Sequence, residues 1–217
     1  MKLLSELFVE NDVLMLVGGS MMYIDAVCQG MDDIPSVDAG IREFWKNEYA
    51  TKGLGFIQEE LKRLDSAHYN EVDLKNYKRL LHALEICSIT GKPFSDIRTG
   101  KKKVRPFNIV KVGLNREREE LYERINKRVD QMMQEGLLAE AEQFYSFRHL
   151  NTLNTVGYKE LYEYMGGKWD LDFAVNMIRQ DSRRYAKRQL TWFNRDKEIA
   201  WFHPDDKEAV FCYLKNI

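Results

Sequence analysis

A chain of 217 residues with 44% hydrophobic content can bury a core of its own, as one domain or as a domain with an insertion. Its 33 Lys and Arg against 34 Asp and Glu leave a formal net charge of -1, so any signal for a nucleic-acid partner must be local. The 3 cysteines, Cys28, Cys87 and Cys212, stand far apart with no CxxC pair and no histidine at ligand spacing, which argues against zinc and a disulfide framework and fits a reducing cytoplasm; no run approaches the roughly 18 apolar residues of a membrane span.

In chain order, the apolar run 13–17 reads as a buried parallel strand that opens through Gly18 and Gly19 into a helix, with Ser20 placed to cap it and Gly30 to end it. Strand, glycine turn and helix together are an α/β signature. Pro35 marks a break, and 37–76 read as short helices without strand character. A helix from Tyr77, carrying Leu80, Leu81, Leu84 and Ile86, stops at Gly91 and Pro93. The basic triplet Lys101, Lys102 and Lys103 falls in a loop. Residues 107–114 form a second strand candidate, after which Asn115 is placed to cap a long helix with Glu117, Glu119 and Glu120 in its opening turns and Gly136 as an interruption. Further helices are expected from about Val156 and Asp170, and 199–202 read as a last strand before a short terminal helix.

The local charge is uneven. Arg179, Arg183, Arg184, Lys187 and Arg188 crowd one helix with Asp181 as its internal acid, and Arg179, Arg183 and Lys187 share a face. Four guanidinium groups with one ammonium point toward phosphate, against the plainer reading of a solvated face. Arg124 and Arg128 form a second helical pair beside Ile125 and Val129, to be matched either by an anion or by Glu120, Glu123 or Asp130. Lys78, Arg79 and His82 form a third basic group. Residues 154–159 offer an aromatic ring, a glycine and a cation in a short span, a combination suited to contacting a nucleotide. No GxxxxGK[ST] loop, HExxH or Ser/His/Asp arrangement occurs.

Four segments occur together and in order: 17–23 (VGGSMMY), 79–85 (RLLHALE), 156–159 (VGYK) and 184–193 (RYAKRQLTWF). On these the chain resembles the tRNA dimethylallyltransferase family through nearly its whole length, with no counterpart to the family's opening segment. The resemblance implies a helix-rich α/β fold, with part of a P-loop-NTPase-like parallel sheet (residues 1–35 and 77–217) and a helical, tRNA-binding insertion (residues 36–76). It implies transfer of a dimethylallyl group from dimethylallyl diphosphate to the exocyclic amine of the adenine 3′ of the anticodon. Mg²⁺ is the implied cofactor, with its ligands outside this chain.

Position by position, the resemblance places Ser20 where relatives usually have Thr, near the target adenine, and Arg128 where an arginine grips the diphosphate. Arg42, Lys78, Arg79, Leu80, Leu81 and His82 match positions at the tRNA, as do Asn154, Thr155, Val156, Gly157, Tyr158 and Lys159. His82 departs from the common Arg, and Asn154 departs as well. Arg183, Arg184, Lys187 and Arg188 are assigned to the phosphate side. Because the family's phosphate-binding loop and catalytic base match nothing in these residues, the expectation is a chain that binds tRNA without turnover and exposes an apolar sheet edge prone to self-association. A non-catalytic RNA-binding module and a prenyltransferase for free adenine nucleotides are the alternatives.

Overall fold

A computed structural model describes residues 1–216, which divide into two compact units. The first unit comprises 1–13 and 22–107 and is helical. It holds α1 (Lys2–Leu7) and most of α2 (Met21–Cys28), followed by α3 (Ala39–Leu64), α4 (Ser66–Glu71), α5 (Tyr77–Thr90) and α6 (Phe94–Ile97). Gly30, with φ of 84°, follows the end of α2 as expected. The last carbonyls of that helix are taken by Arg105, which donates to Ala26 O at 2.6 Å and Val27 O at 2.7 Å.

Asp38 caps α3, accepting from the Ile41 N–H at 2.9 Å, and Gly53, at φ 77° and ψ -177°, kinks that helix midway. The core of the unit lies between α3 and α5: Trp45, Ile57 and Leu61 meet Leu80, Leu81, Ala83, Leu84, Ile86 and Cys87, with Phe94 of α6. The helix from Tyr77 therefore shares one core with 39–64. Buried Asp65 ties the unit together. It accepts from the His68 N–H at 2.9 Å, the Ser95 N–H at 2.7 Å and the Ser95 hydroxyl at 2.8 Å.

The second unit comprises 14–21 and the chain from 108 onward. Its elements are β1 (Val112–Leu114), α7 (Arg118–Gln134), α8 (Leu137–Phe144), α9 (Tyr158–Met165), α10 (Leu171–Phe193), β2 (Ala200–Phe202) and α11 (Lys207–Lys215). Strands β1 and β2 pair in parallel, Val112 opposite Ala200 and Leu114 opposite Phe202. Val129, Leu137, Ala141, Leu161 and Ile178 form the helical core. Asp170 caps α10 through the Phe173 N–H at 2.7 Å, and Gly136 separates α7 from α8 at φ 101°.

Three sequence expectations are corrected. Residues 13–17 run without ladder pairing, with Val13, Met15 and Val17 each more than 80% exposed, because among the described residues the only strands are β1 and β2 and they pair with each other. The strand expected at 107–114 is confined to 112–114. Asn115 does not cap α7: the helix begins after Glu117, whose side chain makes no capping bond, while the Asn115 N–H donates to Phe202 O at 3.0 Å and extends the β1–β2 pairing.

Candidate functional site

In the first unit the basic residues and the leucines of the 78–82 group separate. Lys78, Arg79 and His82 lie on the exposed side of α5, whereas Leu80 and Leu81 are buried in the core. Helical geometry forces this, since 80, 81, 84 and 87 line one face and 78, 79 and 82 turn away from it. Any RNA contact along this stretch falls to the three polar residues. Arg42 of α3 approaches the same helix: its Nε is 3.8 Å from Glu85 Oε1, and His82 Nδ1 is 3.6 Å from Glu85 Oε2. One buried carboxylate thus faces two half-exposed side chains, Arg42 and His82, while Lys78 and Arg79 have no ion pair among the described residues.

In the second unit, Ser20 is exposed and immediately precedes Met21, the first residue of α2. The Gly19 carbonyl beside it accepts a hydrogen bond from Gln189 Nε2 at 2.6 Å. This contact joins the glycine turn to the last turns of α10 and brings together the first and last of the four quoted segments. Gln189 was not singled out from sequence as a site residue; the signal was its place inside the 184–193 segment. Arg128 sits exposed on α7, which packs against α10, and it has no ion pair or hydrogen bond among the described residues.

The arginine stripe of α10 divides into braces and free cations. Arg179 is held by Asp130 and by Asn176 at 2.6 Å, so it links α10 to α7. Arg183 donates to Asn126 Oδ1 at 2.6 Å and lies 5.9 Å from the centre of the Tyr122 ring, which fixes α7 close to Arg128. Arg184 pairs with Asp181 at 2.9 Å. Lys187 has no ion pair among the described residues, and Arg188 stacks its guanidinium 5.6 Å from the Tyr185 ring centre. The phosphate-side expectation therefore divides, with Lys187 and Arg188 free for an anion and Arg183 and Arg184 committed to the scaffold.

Residues 154–159 lead into α9. Asn154, Thr155 and Val156 are exposed, Gly157 is buried at φ 108°, and the Lys159 ammonium lies 3.4 Å from Asp181 and 3.5 Å from Glu160. Tyr158 donates its hydroxyl to Glu140, and this bond, helped by burial, pushes the phenol up to about 12. It stays neutral near pH 7 and acts there as a donor and a stacking ring, its plane 25° from that of Tyr162.

For Mg²⁺, the group to test is Glu120, His203 and Asp205, whose ligand atoms lie within 4.8 Å of one another. They do not fit. Arg116 already bridges the two carboxylates, reaching Asp205 at 2.6 Å, and an imidazole is a poor match to an ion that prefers oxygen in a strict octahedron. Among the described residues no helix is long and apolar enough to cross a membrane.

A model of the IPP transferase family matches residues 1–196. The chain is 60% identical over 212 residues to tRNA dimethylallyltransferase 2 of Parabacteroides distasonis, covering 98% of this chain and 71% of that protein. It is 56% identical over 215 residues to tRNA dimethylallyltransferase 1 of Bacteroides fragilis, again covering 71% of the relative. Among solved structures, the tRNA isopentenylpyrophosphate transferase of Bacillus halodurans is similar at 34% identity and a TM-score of 0.53, and the chain spans 62% of its length. A eukaryotic dimethylallyltransferase solved acting on tRNA shares the fold at 21% identity, with a TM-score of 0.69 over 93% of this chain and 54% of that one. The chain belongs to the IPP transferase family.

Proposed function

We propose that these residues form the acceptor and tRNA side of a tRNA dimethylallyltransferase. In that reaction the exocyclic amine of an adenine 3′ of the anticodon attacks the allylic carbon of dimethylallyl diphosphate. A C–N bond forms, the C–O bond breaks, diphosphate departs and the amine gives up a proton. The observation that carries the reading is the Gln189 to Gly19 hydrogen bond, which couples the turn bearing Ser20 to the helix bearing Lys187 and Arg188. On this reading Ser20 offers its hydroxyl to the adenine, while Arg128, with no competing acid, offers two parallel donors to the leaving diphosphate oxygens. Arg42, Lys78, Arg79 and His82 meet the tRNA backbone, together with the 154–159 loop.

Mg²⁺ belongs to the proposal as a cofactor of the whole enzyme, and no residue described here is assigned to it. The 217 residues contain no GxxxxGK[ST] loop, so by themselves they are expected to bind tRNA without turnover. The test is transfer of labelled dimethylallyl groups to unmodified tRNA by this chain, alone and joined in frame to a segment carrying such a loop. Binding by both with transfer only by the joined form supports the proposal. Absence of tRNA binding by either would remove it.

A further inference from the structure

Glu160 is fully buried near the start of α9, and the function described above makes no use of it. Its Oε2 accepts the Gly157 N–H at 2.7 Å, while its Oε1 is buried with no hydrogen-bond donor. The Lys159 ammonium lies 3.5 Å from that second oxygen, is half exposed and also lies 3.4 Å from Asp181 of α10. Burial opposes ionisation of Asp181, but Arg184 and Lys159 hold its carboxyl below the ordinary range. Two acids from two helices therefore converge on one ammonium at the edge of the 154–159 loop.

Glu160 is the third residue of α9 and accepts the N–H of its N-cap Gly157, half of a capping box, but a cap alone does not require burial. A buried carboxyl with an unfilled oxygen is costly, and an apolar residue of similar size would pack there without that cost. The carboxyl reaches a backbone N–H within the loop, that of Gly157. Gly157 sits at φ 108° and ψ -68°, a conformation open to few residues other than glycine, and the exposed Asn154, Thr155 and Val156 hang from it. Toward its other end the loop is tied by the Lys159 N–H to Thr155 O at 3.1 Å and the Asn154 N–H to Asn151 O at 3.2 Å.

We propose that Glu160 is a positioning residue for tRNA: through the Gly157 N–H it sets the 154–159 loop in the form that meets the RNA. The inference rests on the tRNA reading given above. Because the group acts through an acceptor oxygen at a fixed reach, glutamine should replace it and aspartate, one methylene shorter, should not.

The test is equilibrium titration of unmodified tRNA with the wild-type chain and with E160Q, E160D and E160A, each checked for folding by circular dichroism. The midpoint reports affinity and the amplitude reports the folded fraction, so a merely structural loss lowers the amplitude and leaves the midpoint in place. Expected are a midpoint for E160Q within about twofold of wild type and one for E160D and E160A weakened on the order of tenfold. Wild-type-like midpoints in folded E160D and E160A, or a loss in E160Q equal to that in E160D, would overturn the inference. Should E160A fail to fold, the comparison of E160D with E160Q decides. A wild-type chain that does not bind tRNA would instead overturn the functional reading itself.

Discussion

Gln189 Nε2 donates to the Gly19 carbonyl at 2.6 Å, and a Cβ built on Gly19 would lie 2.3 Å from that same nitrogen. The glycine thus allows this close approach, at a point where the turn before Ser20 is held by α10. The atom in the way is the tip of a flexible side chain, so G19A would be accommodated by swinging Gln189 aside and losing the hydrogen bond. We expect G19A and Q189A each to cost about 1 kcal/mol, and the double variant to cost less than the sum of the two. Urea titration of the four proteins measures this; full additivity would mean that the contact contributes nothing.

Asp65 predicts a larger effect in the first unit. Replacing it by alanine removes three hydrogen bonds at a buried position and leaves the His68 and Ser95 donors short of a partner. The expected loss is roughly 3 kcal/mol by chemical denaturation. A loss below about 1 kcal/mol would show that water replaces the carboxylate easily.

The same cluster sets a pH dependence. Burial depresses His68 below its ordinary 6.5, outweighing the attraction of Asp65. Burial works to raise Asp65, but the N–H groups of His68 and Ser95 and the Ser95 hydroxyl hold it below 3.8. Both groups bind fewer protons folded than unfolded on acidification, so their stabilisation is present at high pH and is lost as pH falls. The His68 part is lost from 6.5 down through its depressed value, and the Asp65 part below 3.8. The urea midpoint should therefore drop between about pH 7.5 and 5, and H68Q should flatten that drop. A flat profile in the wild-type protein would contradict the assignment.

How much of this was legible in the sequence depended on whether the cause was local. The end of α5 at Gly91, the interruption at Gly136 and the start of α10 at Asp170 were readable because each is fixed by one residue's own φ or side chain. The run 13–17 was misread because apolar, β-branched composition states what a strand would bury but not whether a neighbour pairs with it. Asn115 was misplaced because its N–H was taken by Phe202, 87 positions away, a partner that no window reveals. The site divided along the same line: the cationic residues were visible, but only tertiary structure showed that Arg179 is bound by Asp130 of α7 while Arg128 is free.

That division predicts two different phenotypes. In the form joined to a GxxxxGK[ST] segment, R128A should slow prenyl transfer on the order of 10- to 100-fold, with R128K restoring little because an ammonium lacks the paired donors. R179A should instead reduce stability by about 1 kcal/mol or less, its ion pair being partly exposed, and leave transfer per folded enzyme unchanged. Equal transfer defects in the two would erase the distinction.

On α5, K78A and R79A should each lower the salt dependence of tRNA affinity by about one counterion's worth, whereas L80A should leave that slope alone and cost roughly 3 kcal/mol of stability. Slopes measured between 50 and 200 mM salt, a range wide enough to resolve about one phosphate contact, check this. An unchanged slope in both cation variants would place the RNA elsewhere.

The central claim is most directly tested by following labelled dimethylallyl transfer to unmodified tRNA by this chain, with and without an in-frame segment carrying a GxxxxGK[ST] loop. The account predicts tRNA binding by both forms and transfer only by the joined form, abolished or strongly reduced by R128A. Transfer by the 217 residues alone would show that the diphosphate is held without such a loop and would contradict the account of the site.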